Sequence, residues 1–137
     1  MATKVLDSWA LLAFYKDEPC APEVEKLIQQ AADKGKPLLL SVVNWAEIHY
    51  SLERAGGRAV ADRVAEQIAE LPIQVVGVGD DLKTARTAAA FKASNKMSLA
   101  DAFAAALAKE KRGELVTGDS EFKPLEGQIK IHWLLDK

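Results

Sequence analysis

A single cysteine, Cys20, is all the chain contains, which excludes an internal disulfide and a cysteine-based metal cluster and fits a reducing cytosol. Long apolar runs are missing too. The longest stretch without a charged residue is too short to span a bilayer, and no basic leader introduces an apolar segment with a cleavage site. These absences predict a soluble, cytoplasmic protein that does not enter a membrane. An excess of positive charge is also lacking: the net charge is -2, so the chain as a whole does not attract nucleic acid and any such binding needs a local patch. No repeat, low-complexity tract or Pro/Gly-rich linker interrupts the 137 residues, which predicts one domain, 1–137, with one core.

What is present is an alternation of short apolar runs with longer helical patterns. Strands are expected at 3–7, in "PLLLSV", in "IQVVGV", in "ELVTGD" and in "IKIHWLL" (129–135), where β-branched and large apolar residues favour extended backbone. Helices are expected at 8–15; at 22–34, with Pro22 in the first turn and Gly35 as a stop; and in "VNWAEIHYSLER", closed by Gly56 and Gly57. Three more are expected at 58–71 before Pro72, at 80–93 and at 99–111. Strands alternating with helices of this length predict right-handed crossovers and a parallel sheet covered on both faces. In such sheets ligands bind beyond the carboxyl ends of the strands. Asp7 follows the first strand, and Thr117-Gly118-Asp119 ends the fourth.

Three core-like runs each contain one acid: Asp7 between Val5 and Tyr15, Glu47 between Leu38 and Leu52, and Asp101 between Met97 and Ala108. A lone ionised carboxylate in an apolar setting is costly unless it is paired, protonated or bound to metal, and these runs hold no lone Lys or Arg. Helix capping is the plainer reading for Asp7, for the Ser98-to-Asp101 capping box and for Asp119 before Ser120, at about 1 kcal/mol each. Glu47 lies too deep in its helix to cap anything. If the four acids converge, two charges about 4 Å apart repel by roughly 4 kcal/mol at a dielectric near 20, against a fold stabilised by only about 5 to 15 kcal/mol. A divalent cation relieves that load. Oxygen donors, with His49 the one histidine close by in sequence, select Mg²⁺ or Mn²⁺ over Zn²⁺. Such an ion acidifies a bound water and stabilises charge on a phosphodiester, which predicts phosphate-ester hydrolysis with Thr117 and Asn44 as candidates to orient the water or a non-bridging oxygen. The one strongly basic stretch, with Lys83, Arg86, Lys92 and Lys96 and no acid from Leu82 to Ala100, is the candidate contact for a nucleic-acid backbone. Arg54, Arg58 and Arg63 form a weaker one, diluted by Glu53 and Asp62.

The segments "VLDSWALLAFY", "SVVNWAEIHYSL", "MSLADAFAAALAKE" and "ELVTGDSEF", in this order, resemble the successive acidic motifs of PIN-domain ribonucleases, most closely the toxins of bacterial VapBC-type toxin–antitoxin pairs. The resemblance covers nearly the whole chain. It implies a Rossmann-like three-layer α/β/α PIN domain with a central parallel sheet, and a Mg²⁺- or Mn²⁺-dependent endoribonuclease acting on RNA. By motif position, Asp7, Glu47, Asp101 and Asp119 match the family's four acids, with Asp7 and Asp101 those that usually hold the metal directly. Thr117 matches the small hydroxyl residue before the last acid. Glu121 stands near the place of an additional acid in some relatives, and its direction is open. A homodimer and a cognate antitoxin that covers the site are implied as well. Trp9 and Trp45, each near a proposed site acid, are candidate platforms for RNA bases, although the periodicity of both helices also suits burial in the core.

Two rival readings share the doubly wound fold. A Mg²⁺-binding phospho-acceptor module without nuclease activity needs an acceptor acid after the third strand, where "VVGVGDD" offers one, and a late strand-end lysine, where this chain has an acid. An aspartyl-nucleophile phosphatase needs a second aspartate two residues after the first, and Asp7-Ser8-Trp9 lacks it.

Overall fold

The structure, a computed structural model, describes residues 2–134. Five strands, β1 (Lys4–Leu6), β2 (Leu38–Ser41), β3 (Ile73–Val76), β4 (Glu114–Thr117) and β5 (Lys130–Trp133), form one parallel sheet in the order β3-β2-β1-β4-β5. Every neighbouring pair is parallel, as the alternation of strand and helix patterns requires: Val5 pairs with Leu39 on one side and Leu115 on the other. Six α-helices connect them: α1 (Ser8–Tyr15), α2 (Ala21–Lys34), α3 (Val42–Gly56), α4 (Arg58–Glu70), α5 (Lys83–Ser94) and α6 (Leu99–Glu110).

Side-chain alternation along the central strands divides the core in two, because successive residues point to opposite faces. Leu6, Leu38, Leu40 and Val116 pack against residues of α1 to α4, while Val5, Leu39 and Leu115 pack against α5, α6 and Phe122 and Leu125. This is the expected three-layer α/β/α arrangement. Helix α6 is apolar almost all round, and Ala102, Ala104, Ala105, Ala106 and Ala108 are all fully buried. Small side chains of this kind let a helix lie close to the sheet.

The stops act as read from the sequence. Gly35 caps α2 in the left-handed region at φ 63°, and Gly57 follows α3. Helix α5 is the main departure, starting at Lys83 instead of residue 80. Leu82 takes a left-handed φ of 63° and the Asp81 carboxylate accepts the Lys83 N–H at 3.1 Å, so residues before Lys83 form a turn. A second departure is a 3-10 helix, Ser120–Leu125, where the sequence suggests only a turn. Of the strand expected at 129–135, Leu135 lies outside the described residues. Among the described residues, no helix is long and apolar enough to cross a membrane.

Candidate active site

The strand order puts the sheet's switch point between β1 and β4. From β1 the chain winds outward to β2 and β3, then crosses to β4 and β5 on the other side, so connections leave β1 and β4 in opposite directions. Helix α1 packs into one layer and the 3-10 helix into the other. Asp7 follows β1 and Thr117-Gly118-Asp119 ends and follows β4 at that switch point, while Glu47 lies on α3 and Asp101 on α6.

Asp7 is fully buried at the N-cap of α1. Its Oδ1 accepts the Ala10 N–H at 2.8 Å, and its Oδ2 accepts the hydroxyl of Thr117, 110 residues away in sequence. Thr117 is itself fully buried and accepts the Asp119 N–H at 3.0 Å; Asp119 in turn accepts the Glu121 N–H at 3.0 Å and caps the 3-10 helix. One chain of hydrogen bonds therefore ties the first acid to the fourth. Asp101 is half-buried, its N–H donating to the Ser98 hydroxyl at 3.0 Å as the capping-box reading requires. Glu47, half-buried in the interior of α3, caps nothing. Capping thus accounts for how Asp7, Asp101 and Asp119 are aimed and leaves Glu47 unexplained.

Electrostatics show the acids sensing one another. Burial pushes the Asp7 carboxyl up to about 8; the bonds from Thr117 and Ala10 oppose the rise, and the negative charges of Asp101 and Asp119 add to it. Burial likewise raises Asp101 to about 6, helped by the charge of Asp119 and then of Glu47, with the Ser98 contacts opposing. Acids from four separate segments thus share one electrostatic neighbourhood. No cationic side chain is among the groups that move either acid.

In kind, these donors suit a hard divalent cation: carboxylate oxygens alone, at a site where added positive charge relieves mutual repulsion. The fit is one of chemistry and charge. Among the described residues no three His, Cys, Asp or Glu side chains stand close enough to form a ready chelating group as they are. His49 takes no part, since its Nε2 lies 3.1 Å from Asp62 Oδ1 on α4 and its ring stacks on Trp45 at 5.2 Å. Glu121 is exposed and contributes to neither raised carboxyl.

Several expected residues have more specific places than the sequence suggests. Asn44 and Thr117, expected to orient water or substrate oxygen, are both fully buried with their donors engaged inside the protein. Asn44 Nδ2 donates to Ser8 Oγ at 3.0 Å and to the Ala100 carbonyl at 3.3 Å. Trp9 is half-buried against the core, and its indole covers Gly118: a Cβ there would stand 2.2 Å from the ring. That contact is why glycine separates Thr117 from Asp119. Neither Ser8 nor Gly118 stands out in the sequence, although a hydroxyl directly after a buried acid and a glycine between two polar site residues are signals in retrospect. Trp45 also packs against the core.

The basic stretch is split by the fold. Thr84 Oγ1 donates to Glu110 Oε1 at 2.7 Å, pinning the start of α5 to the end of α6, whereas the turn after α5 leads into the start of α6. Asp101 and Glu110 are about 13 Å apart along α6 at 1.5 Å per residue. Lys83 and Arg86 therefore lie toward the far end, and Lys92 and Lys96 toward the acids. All four are exposed, and Lys92 Nζ donates to the Met97 carbonyl at 2.9 Å. In the weaker basic group, Arg54 lies over the Tyr50 ring and Arg58 lies 3.6 Å from Glu53. The phospho-acceptor reading loses its geometry: β3 is an edge strand with β2 between it and β1, and Asp81 caps the turn before α5.

No curated protein sequence matches the chain significantly. Solved structures do. A VapBC complex bound to DNA from Salmonella typhimurium superposes with a TM-score of 0.73 at 17% identity, covering 98% of this chain and 100% of that one. A toxin–antitoxin complex from Klebsiella pneumoniae gives 0.69 at 18% identity, covering 98% and 100%. Mycobacterium tuberculosis VapC20, described as a sarcin-ricin loop cleaving toxin, gives 0.68 at 18% identity, covering 89% and 94%. At such identities the likeness establishes the fold. The family model for the PIN domain matches residues 4–127, from the first strand through the site acids to the turn beyond the fourth, and the chain belongs to the PIN domain family.

Proposed function

We propose that this protein is a Mg²⁺- or Mn²⁺-dependent endoribonuclease, acting in the cytoplasm as the toxic partner of a VapBC-type pair. What supports this reading is the electrostatic coupling of acids from four segments around the sheet's switch point: Asp101 and Asp119 add to the rise of Asp7, and Asp119 and Glu47 add to the rise of Asp101. Asp7 and Asp101 would hold the metal directly, and Glu47 and Asp119 would complete the donor set or orient a water. When bound, the ion supplies an acidified water and neutralises charge on the phosphodiester. Thr117 fixes Asp7 Oδ2 and the Asp119 backbone together, so the first and fourth acids move as a unit. Lys92 and Lys96, on the acid side of α5, are the better placed of the four basic residues to meet the RNA backbone, with Lys83 and Arg86 serving more distant phosphates.

The biological role follows the fold neighbours, several of which are toxin–antitoxin complexes. A cognate antitoxin that covers the acids and a homodimer of this chain belong to the same proposal. Incubating the purified protein with structured RNA and Mg²⁺ tests it: cleavage should be abolished by a chelator and by Asp7→Asn or Asp101→Asn. Equal cleavage by parent and variants would refute the site.

A further inference from the structure

Asn44 is buried without exposure, yet it is polar, and its two amide protons go to two other helices. Nδ2 donates to Ser8 Oγ at 3.0 Å and to the Ala100 carbonyl at 3.3 Å, and the Ser8 hydroxyl approaches the Asn44 carbonyl at 3.4 Å. Each contact lies one residue from a site acid: Ser8 follows Asp7, and Ala100 precedes Asp101. Asn44 itself stands three residues before Glu47, on the same side of α3. One side chain thus joins the starts of the three helices that carry the first three acids.

The other end of the amide sharpens the point. Asn44 Oδ1 is buried with no hydrogen-bond partner, a cost that an apolar side chain of similar size would avoid. A residue that only filled space would be better apolar. The two donated bonds are what an apolar residue cannot supply.

We propose that Asn44 is a positioning residue, which locks α1, α3 and α6 in register so that Asp7, Glu47 and Asp101 face one cation. It acts through Ser8 and Ala100 and does not touch ion or substrate. This inference rests on the reading of the four acids as a cation site.

The test measures Mn²⁺ alone, by titration calorimetry on the full chain, alongside thermal melting. In parent protein Mn²⁺ binds; in Asn44→Leu affinity falls by about tenfold or more, the range for partners that orient metal ligands. Ser8→Ala, which removes one of the bonds and is mild enough to fold if Asn44→Leu does not, gives a smaller loss in the same direction. The double variant binds no more weakly than Asn44→Leu, since both changes break one connection. Ile48→Val, a buried change one turn along α3, lowers the melting midpoint and leaves Mn²⁺ affinity unchanged, separating positioning from general stability. Parental affinity in both Asn44→Leu and Ser8→Ala overturns the positioning role and leaves the cation site standing. Absence of Mn²⁺ binding by the parent overturns both.

Discussion

Replacing Asp7 by Asn should make the cation-free protein more stable, and by an amount that depends on pH. The Asp7 carboxyl titrates at about 8 in the folded chain against an ordinary 3.8. Its raised value means the folded state keeps the proton that the unfolded state has lost. Stability from this group is therefore fully present below about pH 4, declines as pH rises, and stops declining above about pH 8. At pH 7 the unfolded chain is favoured by about 4 kcal/mol through this one group, taking 1.36 kcal/mol for each pH unit above 3.8. Asn cannot ionise, so it recovers that amount. It keeps an oxygen for the Ala10 N–H but leaves the Thr117 hydroxyl proton without its acceptor, a loss of about 1 kcal/mol. The net gain is about 3 kcal/mol at pH 7, a rise in melting midpoint of roughly 10 °C. At pH 5 the same reasoning leaves under about 1 kcal/mol. Urea unfolding of both proteins with chelator present, at pH 5, 7 and 8, reads the difference directly. A variant less stable than parent at pH 7, or a difference that does not change with pH, would refute the picture of Asp7 as a buried acid held against its preference.

Three further outcomes follow from the same geometry. Gly118→Ala places a methyl 2.2 Å from the Trp9 ring and should destabilise by about 1–3 kcal/mol in melting experiments, with Trp9→Ala in the same chain restoring much of the loss. Thr117→Val removes a bond that lowers the Asp7 pKa, so Mn²⁺ should need a higher pH to stabilise the variant than the parent, because metal and proton compete for the carboxyl. An unshifted pH dependence would exclude Thr117 as the partner that keeps Asp7 available. Lys96→Glu should slow RNA cleavage more than Lys83→Glu at low salt, and the gap should narrow as salt rises; equal effects would mean that the start of α5 and the turn after it do not differ in their distance from the substrate.

Much of this fold is legible in the sequence because its signals are local. Apolar β-branched runs mark the strands, and Pro22, Gly35, Gly57 and Pro72 mark helix limits, each through backbone geometry that its immediate neighbours determine. The start of α5 depends on a left-handed Leu82, which composition does not announce. The 3-10 helix after Asp119 likewise depends on Phe122 and Leu125 packing into the core layer of α5 and α6, a tertiary contact. Strand order is tertiary as well, and it adds to the missing strand-end lysine by placing β3 at the sheet edge, away from β1.

At the site, the acids themselves could be picked out because a charge in an apolar run is conspicuous. Their supports could not. The Thr117 bond to Asp7 spans 110 residues and the Asn44 bond to Ala100 spans 56, distances over which periodicity carries no information. For the same reason Lys83 to Lys96 reads as one basic patch in the sequence, whereas the pairing of Thr84 with Glu110 sets the start of α5 apart from the turn that follows it. His49 was the nearest histidine in sequence to a site acid, and its contact with Asp62 takes it to another helix.

Crystals soaked in Mn²⁺ and measured at the manganese absorption edge test the central claim most directly. An anomalous peak is expected between the carboxylates of Asp7 and Asp101, lost in Asp101→Asn. Saturating Mn²⁺ with no peak between these residues, or with one only elsewhere, would contradict it.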